Sequence, residues 1–408
     1  MHKNSSGFGR LAIPLSPPTS TFLLRFYFHD NSQTSFIFPP SLRLCQFDSD
    51  SMTIPKPEHE AQNQYYRVLD AANNRAGEGL RVVEDFTRMM LGDRHLTLRL
   101  KQLRHQLTGV ISELDPHCLI AARDTAEDIG TEIGLPSEYR RESTSGLVQA
   151  NLSRVQQALR TIEEYSKSIN PRIAQIVEQL RYQSYTLEKA ILTTVLSTNI
   201  LKSAQLYVIV DGGPTDVEFG QQIRQLVAAQ VDLIQLRDKS LSDRELLSRA
   251  AVLSSELSGS STRWIMNDRA DLASAGRADG VHLGQDDISV GDARRILGPA
   301  KLIGVSTHSI DQARQAVVDG ANYIGVGPVF SSRTKTFDLH VGLALVAEVA
   351  SEISLPAFAI GGIDENNIAS IRDAGMNRVA IASAITKSAD PTIAVSRIRE
   401  QLRSHCPR

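Results

Sequence analysis

Leu302-Ile303-Gly304-Val305-Ser306-Thr307-His308 and Tyr323-Ile324-Gly325-Val326-Gly327-Pro328-Val329-Phe330, separated by the helical run 310–319, decide the fold. Each opens with a short continuous apolar segment and closes on glycine, hydroxyl or basic residues. Continuous apolar runs suit strands buried on both faces, and such strands belong to parallel sheets covered by helices. The alternation extends outward in both directions. Apolar, β-rich runs recur at 206–210, 233–236, 264–266, 281–283, 357–360 and 379–382, with helical stretches at 243–257, 290–297 and 366–374 among them. Eight such units in about 200 residues predict a closed (β/α)8 barrel rather than an open sheet. No Gly-x-Gly-x-x-Gly pattern follows the first run, which argues against a dinucleotide site.

Upstream the pattern changes. Residues 58–200 read as a mostly α-helical domain, with apolar residues at helical spacing over 62–90, 96–114, 147–166 and 172–196. Gly92-Asp93, Asp115-Pro116 and Asn170-Pro171 punctuate the helices. A repeat lies inside this region. Arg75, Gly79-Leu80-Arg81, Val83-Glu84-Asp85-Phe86 recur 79 residues later as Arg154, Ala158-Leu159-Arg160, Ile162-Glu163-Glu164-Tyr165. Two readings follow: antiparallel helices with solvated intrahelical ion pairs, or a pseudo-twofold cleft lined by arginines for a phosphate ligand. The Ser/Thr/Asn-containing stretch 197–204 marks the joint, and 204–400 form the barrel. Residues 1–57 are expected to be a disordered leader or the product of an upstream start, with Met52 opening an ordinary polar leader.

Whole-chain properties narrow the function. A chain of 408 residues with 41% hydrophobic and 22% charged residues suits a globular protein of two or more domains. Its net charge of −2 argues against nonspecific nucleic-acid or acidic-membrane binding. Cys45, Cys118 and Cys406 are too scattered for a disulfide framework or a cysteine metal site, so a reducing cytoplasm is expected. A homo-oligomer is compatible with all of this.

The residues after each apolar run carry the chemistry, because active sites of such barrels lie at the carboxyl ends of strands. Run two continues into Arg237 and Lys239, with Gln235 on the same side by alternation. Run three ends in Asn267-Asp268, run four in Gly284-Gln285-Asp286-Asp287, and run five in Ser306-Thr307-His308. Two carboxylates on adjacent strands, without paired cysteines or histidines, suit a hard ion such as Mg²⁺. Basic side chains around the same mouth suit a diphosphate that the metal also grips. Backbone amides after runs seven and eight, at Gly361-Gly362 and Ala382-Ser383, suit a second phosphate.

Several segments occur in order: Gln235-Leu236-Arg237-Asp238-Lys239, Asn267-Asp268-Arg269, Gly280-Val281-His282-Leu283-Gly284-Gln285-x-Asp287, Gly304-Val305-Ser306, Gly325-x-Gly327-Pro328-Val329-Phe330, Thr334-Lys335 and Ala359-Ile360-Gly361-Gly362-Ile363. Through them residues 204–395 resemble the thiamin phosphate synthases (thiamine-phosphate pyrophosphorylases). The resemblance implies that Asp268 and Asp287 hold Mg²⁺. It implies that Gln235, Leu236, Arg237, Asp238, Lys239, Asn267, Ser306 and Lys335 bind the hydroxymethylpyrimidine diphosphate, with Arg237, Lys239, Ser306 and Lys335 catalytic. Ser332, Arg333, Thr334, Gly362, Ala382 and Ser383 would receive the thiazole phosphate. The loop reads Ser331-Ser332-Arg333-Thr334 where the family more often has Pro-Thr-x-Thr. The sibling thiazole tautomerases share the barrel but not the diphosphate grip.

In the helical domain, Asn74-Arg75-Ala76-x-Glu78-Gly79-Leu80-Arg81-Val82-x-Glu84-Asp85 and Arg123-Asp124-x-x-x-Asp128-Ile129-Gly130-Thr131 resemble a domain fused ahead of some of these synthases. That domain is read as an alternative hydroxymethylpyrimidine-phosphate kinase. It would use ATP, with Arg75, Glu78, Arg81, Arg123 and Asp128 at its site. The chain holds no Walker A sequence. A noncatalytic oligomerisation module is the competing reading.

Overall fold

The computed structural model describes residues 57–126, 128, 143–331 and 341–403, with side chains from 61 onward. The leader 1–56, the 129–142 segment with Ile129-Gly130-Thr131, and the loop residues Ser332, Arg333, Thr334 and Lys335 lie outside the described residues.

Five helices come first: α1 (Pro57–Asp85), α2 (Arg94–Ile111), α3 (Pro116–Ala121), α4 (Thr144–Ser166) and α5 (Pro171–Ile200), with a π-helical turn, Phe86–Leu91, between α1 and α2. The breaks follow the punctuation in the sequence. Gly92 sits at φ +71 behind the π turn, and Asp93 caps α2 by accepting from Leu96 N at 2.7 Å. Asn170 caps α5 with Pro171 in its first turn. Leu69, Ala72, Ala76, Leu80 and Val83 form the buried stripe of α1, facing Val148, Leu152, Val155, Leu159 and Ile162 of α4. The two helices run antiparallel. Tyr65 meets Tyr165 edge to face at 5.6 Å, while Gly79 lies against Asn151 and Val155. A Cβ at Gly79 would come within 2.8 Å of Val155 Cγ2, so the absence of a side chain sets the helix spacing.

The repeat has a structural counterpart. Glu84 accepts from Arg104 Nε of α2 at 2.9 Å, and its repeat partner Glu163 accepts from Arg181 Nε of α5 at 2.8 Å. Each glutamate ties its helix to the next one in the chain, so α1–α2 and α4–α5 are equivalent hairpins. Arg160 makes the expected intrahelical pairs with Glu163 and Glu164. Arg75 and Arg81 stand exposed.

The barrel follows: β1 (Leu206–Val210), α6 (Asp216–Ala228), β2 (Leu233–Leu236), α7 (Asp243–Glu256), β3 (Arg263–Asn267), α8 (Ala270–Ala275), β4 (Gly280–Leu283), α9 (Val290–Leu297), β5 (Leu302–Thr307), α10 (Ile310–Asp319), β6 (Tyr323–Val326), α11 (Gly342–Glu352), β7 (Ala357–Ile360), α12 (Ile368–Asp373), β8 (Val379–Ile381), α13 (Ser383–Thr386) and α14 (Pro391–Arg403). All eight strands are parallel, pair in sequence order, and close through β1 and β8. Alternate side chains build two cores. Leu236, Val281, Ile303 and Ile324 face the helices, whereas Tyr207, Ile265, Tyr323 and Phe358 fill the barrel interior.

The expected joint at 197–204 begins inside a helix. α5 continues through it to Ile200, and Ile200, Leu201 and Ala204 pack onto the interior core. Of the hydroxyls in that stretch Ser197 is buried and bonded, as is Thr194 just before it. Thr194 donates to Ala190 O at 2.8 Å, and Ser197 accepts from Asn322 Nδ2 at 3.0 Å. The helices meet the barrel elsewhere too: Lys189 donates to Asp319 O, and Asp93 accepts from Ser354 N at 2.9 Å. The described residues lie in one compact unit, Pro55–Arg408. No described helix is long and apolar enough to cross a membrane.

Candidate active site

The turn after β3 places the first carboxylate. Asp268 adopts φ +61, in the left-handed region that few non-glycine residues enter, and its N–H donates to His282 O of β4 at 2.7 Å. Asp287, beyond β4, is fixed by Gly284 N donating to its Oδ2 at 2.6 Å. The two carboxyl groups are neighbours. Burial raises the pKa of Asp268, contact with Asp287 raises it further, and Lys239 opposes the rise. Lys239 Nζ approaches Asp268 Oδ2 to 3.3 Å, yet the lysine side chain is 67% exposed and is a weak counter-charge. Two crowded, under-neutralised carboxylates fit a hard divalent cation that keeps most of its sphere for water and phosphate oxygens. Among the described residues no larger group of His, Cys, Asp or Glu could hold a metal ion.

Arg237 leaves the end of β2, its N–H donating to Val210 O at 2.8 Å. Among the described residues its guanidinium has no hydrogen bond or ion pair, although its charge reaches His282. Such a cation at a barrel mouth is available to an anion. Asn267 ends β3, and Ser306, half-buried near the end of β5, faces the same mouth. Strands β2 to β5 are consecutive neighbours, so Arg237, Lys239, Asn267, Asp268, Asp287 and Ser306 share one side of the mouth, with Gln235 buried on β2 below them.

Two neighbours in sequence do other work. Leu236 is buried in the core beneath the helices. Asp238 builds the loop after β2: its carboxylate accepts from Ser240 N and Oγ at 2.9 and 2.6 Å and from Gly212 N at 3.0 Å. Across the mouth, Gly362 follows β7 at φ +63, where a Cβ would lie 2.4 Å from Ser331 O. Only glycine admits that close pass of the β6 loop. Ala382 and Ser383 follow β8, with Ser383 opening α13. His308, on the loop after β5, braces the backbone through its Nδ1 contact with Gly327 O.

Sequence reasoning assigned no role to three residues inside the barrel. Gln235 Nε2 donates to Tyr207 Oη at 2.7 Å, and Tyr207 and Tyr323 share a bond of 3.0 Å. Tyr323 Oη lies 3.3 Å from His282 Nδ1, and His282 Nε2 lies 2.9 Å from Ser306 Oγ. Burial pushes His282 down to about 4, so the ring is neutral near pH 7. Burial also raises both tyrosines, keeping their protons on. Tyr207, Tyr323 and Phe358 pack edge to face at 5.5–5.8 Å beneath this chain. The available signal was a polar or hydroxyl-bearing residue at inward positions of otherwise apolar strands.

In the helical region, Arg75, Glu78 and Arg81 are exposed on α1. Arg123 instead grips Asp70 in a two-pronged pair of 2.8 and 2.7 Å, and Arg67 donates to Asp124 O at 3.0 Å. These bonds tie the segment after α3 to α1. Asp128 is half-buried.

Known proteins match both parts. A family model described as thiamine monophosphate synthase matches residues 206–385, and the ThiD2 family model matches residues 67–190. A thiamine-phosphate synthase of Rhodopirellula baltica is 42% identical over 78% of this chain and 88% of its own length. One from Nostoc sp. is 39% identical over 85% of this chain and 96% of its own length. A solved thiamine phosphate pyrophosphorylase from Pyrococcus furiosus covers 51% of this chain and 97% of its own at 28% identity, with a TM-score of 0.44. The chain belongs to the thiamine-phosphate synthase family, as a barrel enzyme preceded by a helical ThiD2-type region.

Proposed function

We propose that the barrel, residues 204–400, condenses 4-amino-5-hydroxymethyl-2-methylpyrimidine diphosphate with 4-methyl-5-(2-hydroxyethyl)thiazole phosphate or its carboxylated form. The products are thiamin phosphate and diphosphate. The bond between the pyrimidine methylene carbon and its oxygen breaks, its electron pair leaving with the diphosphate. The thiazole nitrogen lone pair then forms the new C–N bond. No protein nucleophile is required, only stabilisation of the leaving group and alignment of the acceptor. Asp268 and Asp287 would hold Mg²⁺, which supplies positive charge to the diphosphate oxygens. Arg237 and Lys239 approach the same oxygens from β2, Ser306 donates from β5, and Gln235 and Asn267 orient the pyrimidine side. Lys335 is assigned to the diphosphate. Ser332, Arg333, Thr334, Gly362, Ala382 and Ser383 are assigned to the thiazole phosphate. Leu236 and Asp238 are better assigned to the scaffold of that site. The reaction's phosphorylated substrates and the scattered cysteines support a cytoplasmic setting.

The observation that carries this reading is the Arg237 guanidinium, unpaired among the described residues, at the same barrel mouth as the crowded Asp268–Asp287 pair. It favours a synthase over a tautomerase, which releases no diphosphate. Arg237→Ala should lower diphosphate release by about 10²-fold, the scale of losing one preorganised stabiliser. Near-normal release in that variant would refute the assignment.

For residues 58–200 we propose phosphorylation of the pyrimidine monophosphate by ATP, feeding the barrel its diphosphate substrate. A structural role is the second reading, favoured by the bonds that tie α2 and α5 to the barrel. Incubating the full chain with ATP, Mg²⁺ and the pyrimidine monophosphate separates the two. Formation of ADP with the diphosphate supports the kinase, and its absence supports the structural role.

A further inference from the structure

The hydrogen-bond chain inside the barrel has a direction, and the direction bears on Ser306. Gln235 stands at its head, its amide N–H donating to Tyr207 Oη. A phenol has one proton to give. The distances leave the donor open at the next two links, and the order that leaves no buried phenol proton unbonded has Tyr207, already accepting from Gln235, donate to Tyr323 across 3.0 Å and Tyr323 donate to His282 Nδ1 across 3.3 Å. A neutral imidazole that accepts at Nδ1 carries its proton on Nε2. That N–H points at Ser306 Oγ, 2.9 Å away. Ser306 therefore accepts from inside the barrel, and its hydroxyl proton is left for the mouth.

We propose that Tyr323 is a positioning residue for the transfer reaction: its buried hydroxyl, backed by Tyr207 and Gln235, holds His282 as the Nε2–H tautomer and so turns the Ser306 proton toward the departing diphosphate. The inference rests on the assignment of Ser306 to the diphosphate made above. Direction matters because the reversed chain would have Ser306 donate inward and present a lone pair to an anion. An O–H aimed at a charged oxygen attracts it, and a lone pair repels it. The fold makes room for the relay. A Cβ at Gly304 would lie 2.1 Å from Tyr323 Cζ, and one at Gly325 would lie 3.3 Å from His282 Cε1. Tyr207, Tyr323, Gln235 and His282 are all buried, so bulk water does not stand in for a missing partner.

Tyr323→Phe keeps the ring and removes the proton that His282 Nδ1 accepts. Turnover should fall roughly tenfold, the scale of one neutral hydrogen bond expressed in a rate. In a Ser306→Ala background the same change should cost less than about twofold, because the two residues act through one contact. A merely structural role would lower both backgrounds alike, and that result overturns the proposal, as does full activity in Tyr323→Phe. A second arm needs no turnover. ¹⁵N NMR of the full-length protein, with the signal identified by its loss in His282→Gln, should show His282 protonated at Nε2 in the wild type. An Nδ1–H tautomer there overturns the proposal, even if Tyr323→Phe fails to fold. Should the wild type release no diphosphate, the functional assignment falls while the tautomer measurement still decides this inference.

Discussion

Asp268→Asn separates the electrostatic account of the mouth from a structural one. The residue sits at φ +61, a conformation that costs a non-glycine residue on the order of 1–3 kcal/mol. Asparagine and aspartate tolerate it about equally, so that cost is common to both proteins. What changes is charge. The substitution removes one attraction, the Lys239 pair at 3.3 Å, worth about 0–1 kcal/mol for so exposed a lysine. It also relieves burial of the carboxylate and its repulsion by Asp287, which together raise its pKa despite Lys239. A carboxyl whose folded pKa is raised contributes stability while protonated, and that contribution is lost as pH rises through the folded pKa. Asparagine mimics the protonated form and keeps the contribution at pH 7. Without Mg²⁺, thermal melts followed by circular dichroism should therefore give a Tm equal to or above that of the wild type. Diphosphate release should fall by about 10²-fold or more. A Tm lowered by several degrees would refute the claim that the pair is frustrated, and retained turnover would refute its role in catalysis.

Glu163→Ala strands Arg181 in the helical core, since their side chains are 4% and 10% exposed, and should cost roughly 3–5 kcal/mol in urea unfolding. Glu164→Ala, which breaks only exposed pairs, should cost less than about 1 kcal/mol; equal losses would contradict the hairpin account. His95 lies buried where α2 meets the barrel, and burial lowers its pKa from 6.5 despite the opposing charge of Glu352. A lowered histidine pKa contributes stability that is present above the unfolded value and lost as pH falls below it. His95→Gln should flatten the loss of stability on acidification from pH 7 toward pH 5, and an unchanged slope in urea midpoints would overturn that reading.

The barrel was legible because each strand is a continuous apolar run, and a parallel strand covered on both faces leaves no other pattern open to it. That Asp268, Asp287, Arg237 and Ser306 lie around the strand ends was legible for the complementary reason: polar groups just beyond such runs have no place in the apolar core. The interior relay was not. Tyr207 and Tyr323 read as ordinary β-formers, since an aromatic residue in a strand looks alike whether its hydroxyl is bonded or not. Asp238 stood between Arg237 and Lys239 at the end of an apolar run, and only loop geometry shows its carboxylate already used by Ser240 and Gly212. The last turn of α5, Ser197 to Ile200, was read as part of the joint at 197–204 for a similar reason. Ser197, Thr198 and Asn199 suggest a linker by composition, but they lie within α5, where Ser197 accepts from Asn322. Residue type specifies what a group can do, and tertiary contact decides whether it is already doing it.

The central claim is that the mouth formed by β2 to β5 expels diphosphate from one substrate while joining it to another. The direct measurement supplies the full-length protein with both synthetic substrates and follows diphosphate and thiamin phosphate together, with Mg²⁺ and with a chelator. The account predicts equal amounts of the two products, formed only when Mg²⁺ is present. Thiamin phosphate without diphosphate, undiminished turnover in the chelator, or no condensation at all would contradict it.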